Sequence, residues 1–507
     1  MSTIYALASG AIPCGVAIIR ISGPRTSHAV HALTANAPLP LPRSLSLRTL
    51  TDPLTHQTLD RSMVAWFPAP RSYTGEEVAE LHVHGGRAVV QGVMQALSAL
   101  PSTRLAERGE FTRRAFESGQ LDLLQVEAVA DIVAADTTSQ LQQALHQAGG
   151  AVSQKYASWR QQIVRMLAHV EATIDFGDDE DDVDEAAIHQ TLLVEVMDLR
   201  QQIQRVLYDR RGETIRDGIR VAIVGPPNAG KSTLLNVLAA RDAAIVSDVP
   251  GTTRDVIEVR INVHGYNVVL SDTAGLHRNT DDKLEHLGME KAAMVAKEAD
   301  VVLCMFDVNG CNGVDWSEDL LDMDRVLVKL FDSVNSVDSV DSVDAGQDRE
   351  RQKEPPLIVV IANKIDQSSV VVAPSIGHDD LPDYLRTHVL AEDFHLISCH
   401  QNQGIDRLVD SLGLHLEHRF NAVTGKTTIN DENNEPSFVT RERHRLHLST
   451  CEEHLTSAAQ HLHASNGPIE LAAEDLRLAG TSIGRIGGKI DPEDILDAIF
   501  LEFCIGK

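Results

Sequence analysis

The chain has 507 residues, 43% of them hydrophobic, and a formal net charge of −28. That length predicts about three or four domains, and the acidity excludes a surface built to grip nucleic acid indiscriminately, so any RNA contact needs a local basic patch or a partner. No apolar run approaches the ~18 residues of a membrane span, and the six cysteines (Cys14, Cys304, Cys311, Cys399, Cys451 and Cys504) show neither metal-type pairing nor a disulfide framework.

Residues 1 to about 118 read as α+β, with strands at Val16–Ile21, Met63–Phe67 and Val78–Val83 and a helix from Gly85 to about Leu100. From 119 to 216 the pattern turns helical: Leu121, Leu124, Val129, Ile132 and Val133 recur at helical spacing, and a second helix is expected from Leu141 through Ile174, which contains no proline. The acid run Asp178–Asp182 follows, a solvated loop without EF-hand spacing. Basic clusters at Arg210-Arg211 and from Arg441 to Arg445 are each a candidate RNA patch or a solvated helix face.

The apolar run Val221-Ala222-Ile223-Val224 leads into Gly225-Pro-Pro-Asn-Ala-Gly-Lys-Ser232, with a helix expected from near Thr233. Glycines at 225 and 230 let backbone N–H groups wrap a phosphate, and the helix N-terminus adds its dipole. Lys231 can reach β- and γ-phosphates, and Ser232 can ligate Mg²⁺. Asn228 is either a ligand for a monovalent cation beside the phosphates or a plain turn residue. Gly251-Thr252-Thr253-Arg254-Asp255 is a switch segment, whose threonines can close on Mg²⁺ and the γ-phosphate. Asp272-Thr273-Ala274-Gly275 follows the strand Tyr266–Leu270, with Asp272 for Mg²⁺ and the Gly275 N–H for the γ-phosphate. The next residue is Leu276, where Ras-like GTPases carry a water-orienting Gln, so the water is positioned by another route.

Residues 332–355 hold a Ser-Val-Asp repeat and a charged stretch that cannot build a core, and read as a disordered surface loop. Beyond it, Asn363-Lys364-Ile365-Asp366 follows the run Leu357–Ile361. The Asp366 carboxylate can accept from N1–H and the 2-amino group of guanine, which adenine does not offer. Ile397-Ser398-Cys399 supplies a backbone N–H for the guanine carbonyl. Four such elements in this order, each after a strand, specify GTP and GDP.

Residues 416–507 are again helical apart from a polar stretch near 424–436, so the helical parts on either side of the GTPase are expected to pack together, with the GTPase inserted between them. His447, His454 and His461 lie two helical turns apart, too far for one metal; His444 with His447 is the better-placed pair, though surface or partner histidines are commoner. The ending Cys504-Ile505-Gly506-Lys507 does not match a prenylation box.

These motifs, together with Ser72-Tyr73-Thr74-Gly75-Glu76, His84-Gly85-Gly86, Arg108-Gly109-Glu110-Phe111-Thr112 and Leu121-Asp122-Leu123 with Gln125 and Glu127, resemble the MnmE (TrmE) family of tRNA-modification GTPases over nearly the whole chain. The resemblance implies a multidomain α+β and α/β architecture: a tetrahydrofolate-binding-like α+β domain at 1–118, a helical domain split between 119–216 and 415–507, and an inserted Ras-like P-loop GTPase domain at 217–414. It implies K⁺ held by Asn228 and by the switch backbone at Ser247, Val249 and Thr252, and G domains that meet when GTP binds. It also implies a water-orienting Glu285, in the pattern Glu-x-x-Gly ending at Gly288, and a thiol role for Cys504 in the modification chemistry. By the same resemblance the substrate is a tRNA wobble uridine, converted to a 5-carboxymethylaminomethyl derivative. The flavin-dependent partner belongs to the MnmG (GidA) family, the assembly is a homodimer or a heterotetramer with that partner, and the one-carbon unit comes from a tetrahydrofolate derivative. The family's Pro-Gly-Arg-Gly-Gly loop is Ala11-Ile12-Pro13-Cys14-Gly15 here; Arg20 and Glu76 are the candidate folate contacts, with a strand-end charge and a turn acid as the plainer alternatives. The other function considered is a ribosome-assembly regulatory GTPase of the Era or EngA type, which lacks the N-terminal region and the tail at Cys504. No Arg-rich presequence precedes the first strand, which fits a cytoplasmic protein, but the Ser-Val-Asp insertion and the altered loop favour a mitochondrial member of the family.

Overall fold

The computed structural model describes residues 2–176, 185–226, 228–241, 258–272, 295–308, 356–367, 391–420, 437–463, 468–488 and 506. The acid run at 178–182, the 332–355 insertion, the polar stretch at 424–436, Ser247, Val249, Thr252, Thr253, Gly275, Glu285 and Cys504 lie outside these residues, as does the side chain of Asp272. The chain divides into two units, one of residues 1–134, 144–208 and 441–507, the other of 135–143 and 209–440.

In the first unit, strands β1 (Thr3–Leu7), β2 (Cys14–Ser22), β3 (Ser46–Thr51), β4 (Thr58–Phe67), β5 (Val78–Gly85) and β6 (Thr103–Leu105) form one sheet in the order β3-β4-β5-β2-β1-β6. Every pairing is antiparallel except β1 with β6. Ala17, Ile19 and Ile21 alternate along β2 and bury their side chains with Val30 and Leu33 of α1 (Thr26–Leu33) and with Val93 and Leu97 of α2 (Arg87–Ser98). Ile4 and Ala6, on the opposite face of β1, pack instead on Phe111 of α3 (Glu110–Glu117).

Helices α4 (Leu123–Ala134), α5 (Thr138–Ala148), α6 (Ala151–Phe176) and α7 (Glu185–Tyr208) follow. The single helix expected from Leu141 to Ile174 is in fact two. Gly149-Gly150 interrupts it, with Gly150 at φ +83°, a conformation that ends helices and that a β-carbon opposes. Absence of proline was an insufficient signal for continuity. In α6, Tyr156, Trp159, Ile163, Met166 and Val170 are all buried, a stripe at helical spacing.

The second unit begins with the first half of α5, then α8 (Arg211–Asp217), β7 (Ile219–Val224) and α9 (Lys231–Arg241). It continues through β8 (Glu258–Val263), β9 (Tyr266–Asp272), β10 (Val301–Asp307), β11 (Leu357–Asn363), β12 (Phe394–Leu396) and α10 (Ile405–Phe420). The sheet order is β12-β11-β10-β7-β9-β8, parallel throughout except for β8. Val301–Phe306 of β10 are buried without alternation, as a central parallel strand covered on both faces requires. Ser139 donates its N–H to the Gly265 carbonyl in the β8–β9 turn at 3.1 Å, and Gln140 and Gln143 donate to the carbonyls of Arg216 and Gly212 at 2.9 and 2.8 Å.

After the second unit the chain returns to the first through α11 (Glu442–His463) and α12 (Ile469–Ile486). Helix α11 packs on α7 and α12, and α12 on α6. Arg200 of α7 pairs with Glu452 of α11 at 2.7 Å, and Gln204 donates to the same carboxylate at 2.7 Å.

Candidate functional site

In the second unit, β7 ends at Val224 and α9 opens at Lys231, so the Gly-rich segment is a strand–loop–helix turn. Gly225 sits at φ +154°, and a β-carbon there would lie 1.9 Å from the Met305 carbonyl oxygen. Gly230, at φ +102°, would put a β-carbon 2.4 Å from Nδ2 of Asn363. Both positions need glycine for conformation and for space. Asn228 adopts φ +64°, the left-handed region that Asn tolerates better than most residues. Lys231 is buried, and its ammonium donates to the carbonyls of Gly225 and Pro226, each at 2.8 Å, so it spans the loop it follows. Ser232 and Thr233 are exposed in the first turn of α9. Asp272 closes β9 in register with Ile223, which puts its backbone at the sheet end where the loop begins.

The second half of the site hangs on Asn363. Its Nδ2 donates to the Ala229 carbonyl at 2.8 Å, and its Oδ1 accepts from the Cys399 N–H at 3.2 Å. One buried side chain thus joins the Gly-rich loop to the segment after β12. Ser398 is fully buried and donates its hydroxyl to Asp366 at 2.6 Å, which orients the carboxylate. Burial, then the charge of Asp366, pushes the Cys399 thiol up to about 11, so it acts as a packed side chain rather than a nucleophile. Lys364, at φ +66°, pairs with Asp307 at the end of β10 at 2.7 Å. Asp307 was not singled out from sequence. Its signal was an acid closing the apolar run Val301–Phe306, as Asp272 closes its own strand.

Arg20 and Glu76 fall in one polar cluster of the first unit. Arg20 pairs with Glu80 at 3.0 Å and its guanidinium lies 5.1 Å from the centroid of the Tyr73 ring and 5.7 Å from that of Phe111. Glu76 accepts from Ser22 at 2.9 Å and pairs with Arg114 at 2.8 Å; Arg114 also pairs with Glu110 at 2.9 Å. Burial raises the Tyr73 hydroxyl above its usual range, against the bond with Thr112 and the charge of Arg20. Of the terminal tetrapeptide, Gly506 is described: it is buried at φ +107°, where a β-carbon would lie 2.1 Å from the Leu7 carbonyl oxygen. It therefore abuts the end of β1.

The cluster from Arg441 to Arg445 is neither a solvated face nor a free basic patch. Arg441 pairs with Asp131 at 2.8 Å, Arg443 with Glu127 at 3.1 Å, and Arg445 donates to the Leu207 carbonyl. Arg211 is likewise paired, with Asp209 at 2.9 Å. His444 does not form a metal pair with His447: it is fully buried and donates Nε2–H to Glu127 at 2.7 Å. Its Nδ1 has no hydrogen-bond partner among the described residues, which fits a neutral ring, and burial pushes its pKa down. Burial alone would raise Glu127, but His444, Arg443 and Arg441 together hold its carboxyl at about 2. Among the described residues no group of three or more His, Cys, Asp or Glu could hold a metal.

One unit carries a Gly-rich strand–loop–helix site on a mostly parallel six-stranded sheet; the other carries a mostly antiparallel six-stranded sheet and packed helices. Residues 3–120 match the model of the GTP-binding protein TrmE N-terminus, and residues 123–504 match that of the MnmE helical domain. Over its whole length the chain is 41% identical to the 5-taurinomethyluridine-tRNA synthase subunit GTPB3, mitochondrial, of Danio rerio and 40% identical to its Homo sapiens counterpart, covering 93% of each. It is 42% identical to the tRNA modification GTPase MnmE of Parvibaculum lavamentivorans, with all of both chains covered. The chain belongs to the MnmE family.

Proposed function

We propose that this chain hydrolyses GTP and uses the cycle to drive modification of a tRNA wobble uridine. The observation that carries this is the full-length identity to relatives named for tRNA modification, joined to the Asn363 bridge between the Gly-rich loop and the segment beside Asp366. The second unit is a Ras-like GTPase domain. Asp366, oriented by Ser398, reads the guanine edge. Lys231 exchanges the carbonyls of Gly225 and Pro226 for β- and γ-phosphate oxygens, aided by the N–H groups of the first turn of α9. Ser232, Asp272 and Thr253 would hold Mg²⁺, which neutralises charge on the phosphates; the exposed Ser232 and the register of Asp272 beside Ile223 fit that task. Asn228, with Ser247, Val249 and Thr252, would hold K⁺, which supplies the positive charge that an arginine gives elsewhere; the left-handed backbone at Asn228 fits a side chain presented from the loop. Glu285 orients the attacking water.

The partner is a flavin-dependent protein of the MnmG type, the chain works as a homodimer or within a heterotetramer, and the first unit binds a tetrahydrofolate derivative beside Arg20 and Glu76. Cys504 handles the modification intermediate, a role that the family resemblance supports. The product is a 5-carboxymethylaminomethyluridine, with 5-taurinomethyluridine as the second reading because the two animal relatives carry that name. Location in mitochondria is favoured by the same relatives, although a bacterial relative is as similar. A ribosome-assembly role is not favoured, because the family models cover the N-terminal and helical segments as well.

GTP hydrolysis measured in KCl and in NaCl tests the nucleotide chemistry. Turnover faster in K⁺ by about tenfold or more is expected, and equal rates in the two salts would remove the Asn228 cation site.

A further inference from the structure

Of the Asn-Lys-x-Asp segment, Lys364 is the residue whose side chain reaches the neighbouring strand β10. Its ammonium meets Asp307 at 2.7 Å, and Asp307 closes β10, in register with Asn363 of β11. Both side chains are about three-quarters covered, at 26% and 30% exposure. In the sheet order, β10 lies between β11, which leads to Asp366, and β7, which leads to the Gly-rich loop. The four-carbon stem of Lys364 therefore crosses from the base-reading side toward the phosphate side, along the strand ends where a nucleotide lies on the reading above. A lysine stem can lie along apolar surface, and a stem already held in one rotamer loses less conformational freedom when a ligand packs on it.

We propose that Asp307 is a positioning residue for the guanine nucleotide: it pins the Lys364 ammonium so that the lysine stem forms a preset wall of the base slot. The proposal rests on the guanine-nucleotide assignment, and Asp307 acts on the nucleotide through Lys364. It carries no role in the hydrolytic step.

The test is a double-mutant cycle on the full-length chain, read as the Kd and release rate of a fluorescent N-methylanthraniloyl-GDP. Wild-type chain that does not bind the probe overturns the nucleotide assignment itself. Given binding, D307N is expected to raise Kd by about tenfold through faster release, and D307E to recover to within about threefold. The D307N/K364A double variant is expected to bind no more weakly than K364A alone. D307N at wild-type affinity overturns the proposal. So does a double variant whose loss is the product of the two single losses, because Asp307 would then act independently of Lys364. Thermal melting of the nucleotide-free variants closes the remaining route. A single, partly covered ion pair at a strand end contributes little to stability, so transitions within about 3 °C of wild type are expected, and a D307N chain that loses its transition while K364A keeps it would make Asp307 a folding residue and overturn the proposal.

Discussion

Lys231 is held on two backbone carbonyls of its own loop, so it is pre-placed beside the segment that would wrap a phosphate. Lys231→Ala is expected to lower kcat/KM for GTP by about a hundredfold or more, measured by phosphate release; normal turnover would remove the phosphate-loop assignment. Glu127 presents a different case, a buried carboxylate on which Arg443 and His444 converge. Glu127→Ala leaves those groups without their acceptor and is expected to cost the first unit about 3–5 kcal/mol, seen as a lowered melting transition. The pH dependence has a definite sign. Folded Glu127 titrates at about 2 against a usual 4.5, so its contribution is complete above about 4.5 and is lost as pH falls from there to about 2. Burial, then Arg443, Arg485 and His444, lowers His447 to about 4 from 6.5, so its share of stability is present above 6.5 and is lost as pH falls through 4. His447→Gln is expected to flatten the loss of stability between pH 6.5 and 4; an unchanged slope would contradict it. The strand–loop–helix turn at Gly225–Ser232 could be read because it is a short local string with its own spacing. The Glu127 cluster could not, because Glu127 and Arg443 lie 316 residues apart and no local pattern records which acid meets which base.

At the scale of elements, the strands were legible from apolar runs: β7, β9 and β11 begin or end within two residues of the expected positions. The break between α5 and α6 was not, since side-chain periodicity continues across Gly149-Gly150 and only the backbone changes hand. Nor could the docking of α5 on the β8–β9 turn be read. It depends on Gly265 at φ +91°, where a β-carbon would lie 2.3 Å from the Thr138 hydroxyl. Gly265→Ala combines backbone strain with that collision and is expected to destabilise the second unit by about 1–3 kcal/mol, detectable as faster amide exchange at Ser139, whose N–H the Gly265 carbonyl accepts. Unchanged exchange there would show that the turn yields without loss.

For the whole molecule, a net charge of −28 sets a condition on any tRNA partner. The basic cluster that looked available for it, from Arg441 to Arg445, has its Arg441, Arg443 and Arg445 side chains engaged with Asp131, Glu127 and backbone carbonyls. The role of tRNA therefore leans on the family relationship more than on electrostatics. The most direct measurement is mass analysis of wobble uridines in tRNA from cells lacking this chain, complemented with the wild type or with Lys231→Ala. The 5-substituted uridine is expected to return with the wild type and to stay absent with Lys231→Ala. Its return with both, or its presence without the chain, would contradict a GTP-driven modification enzyme.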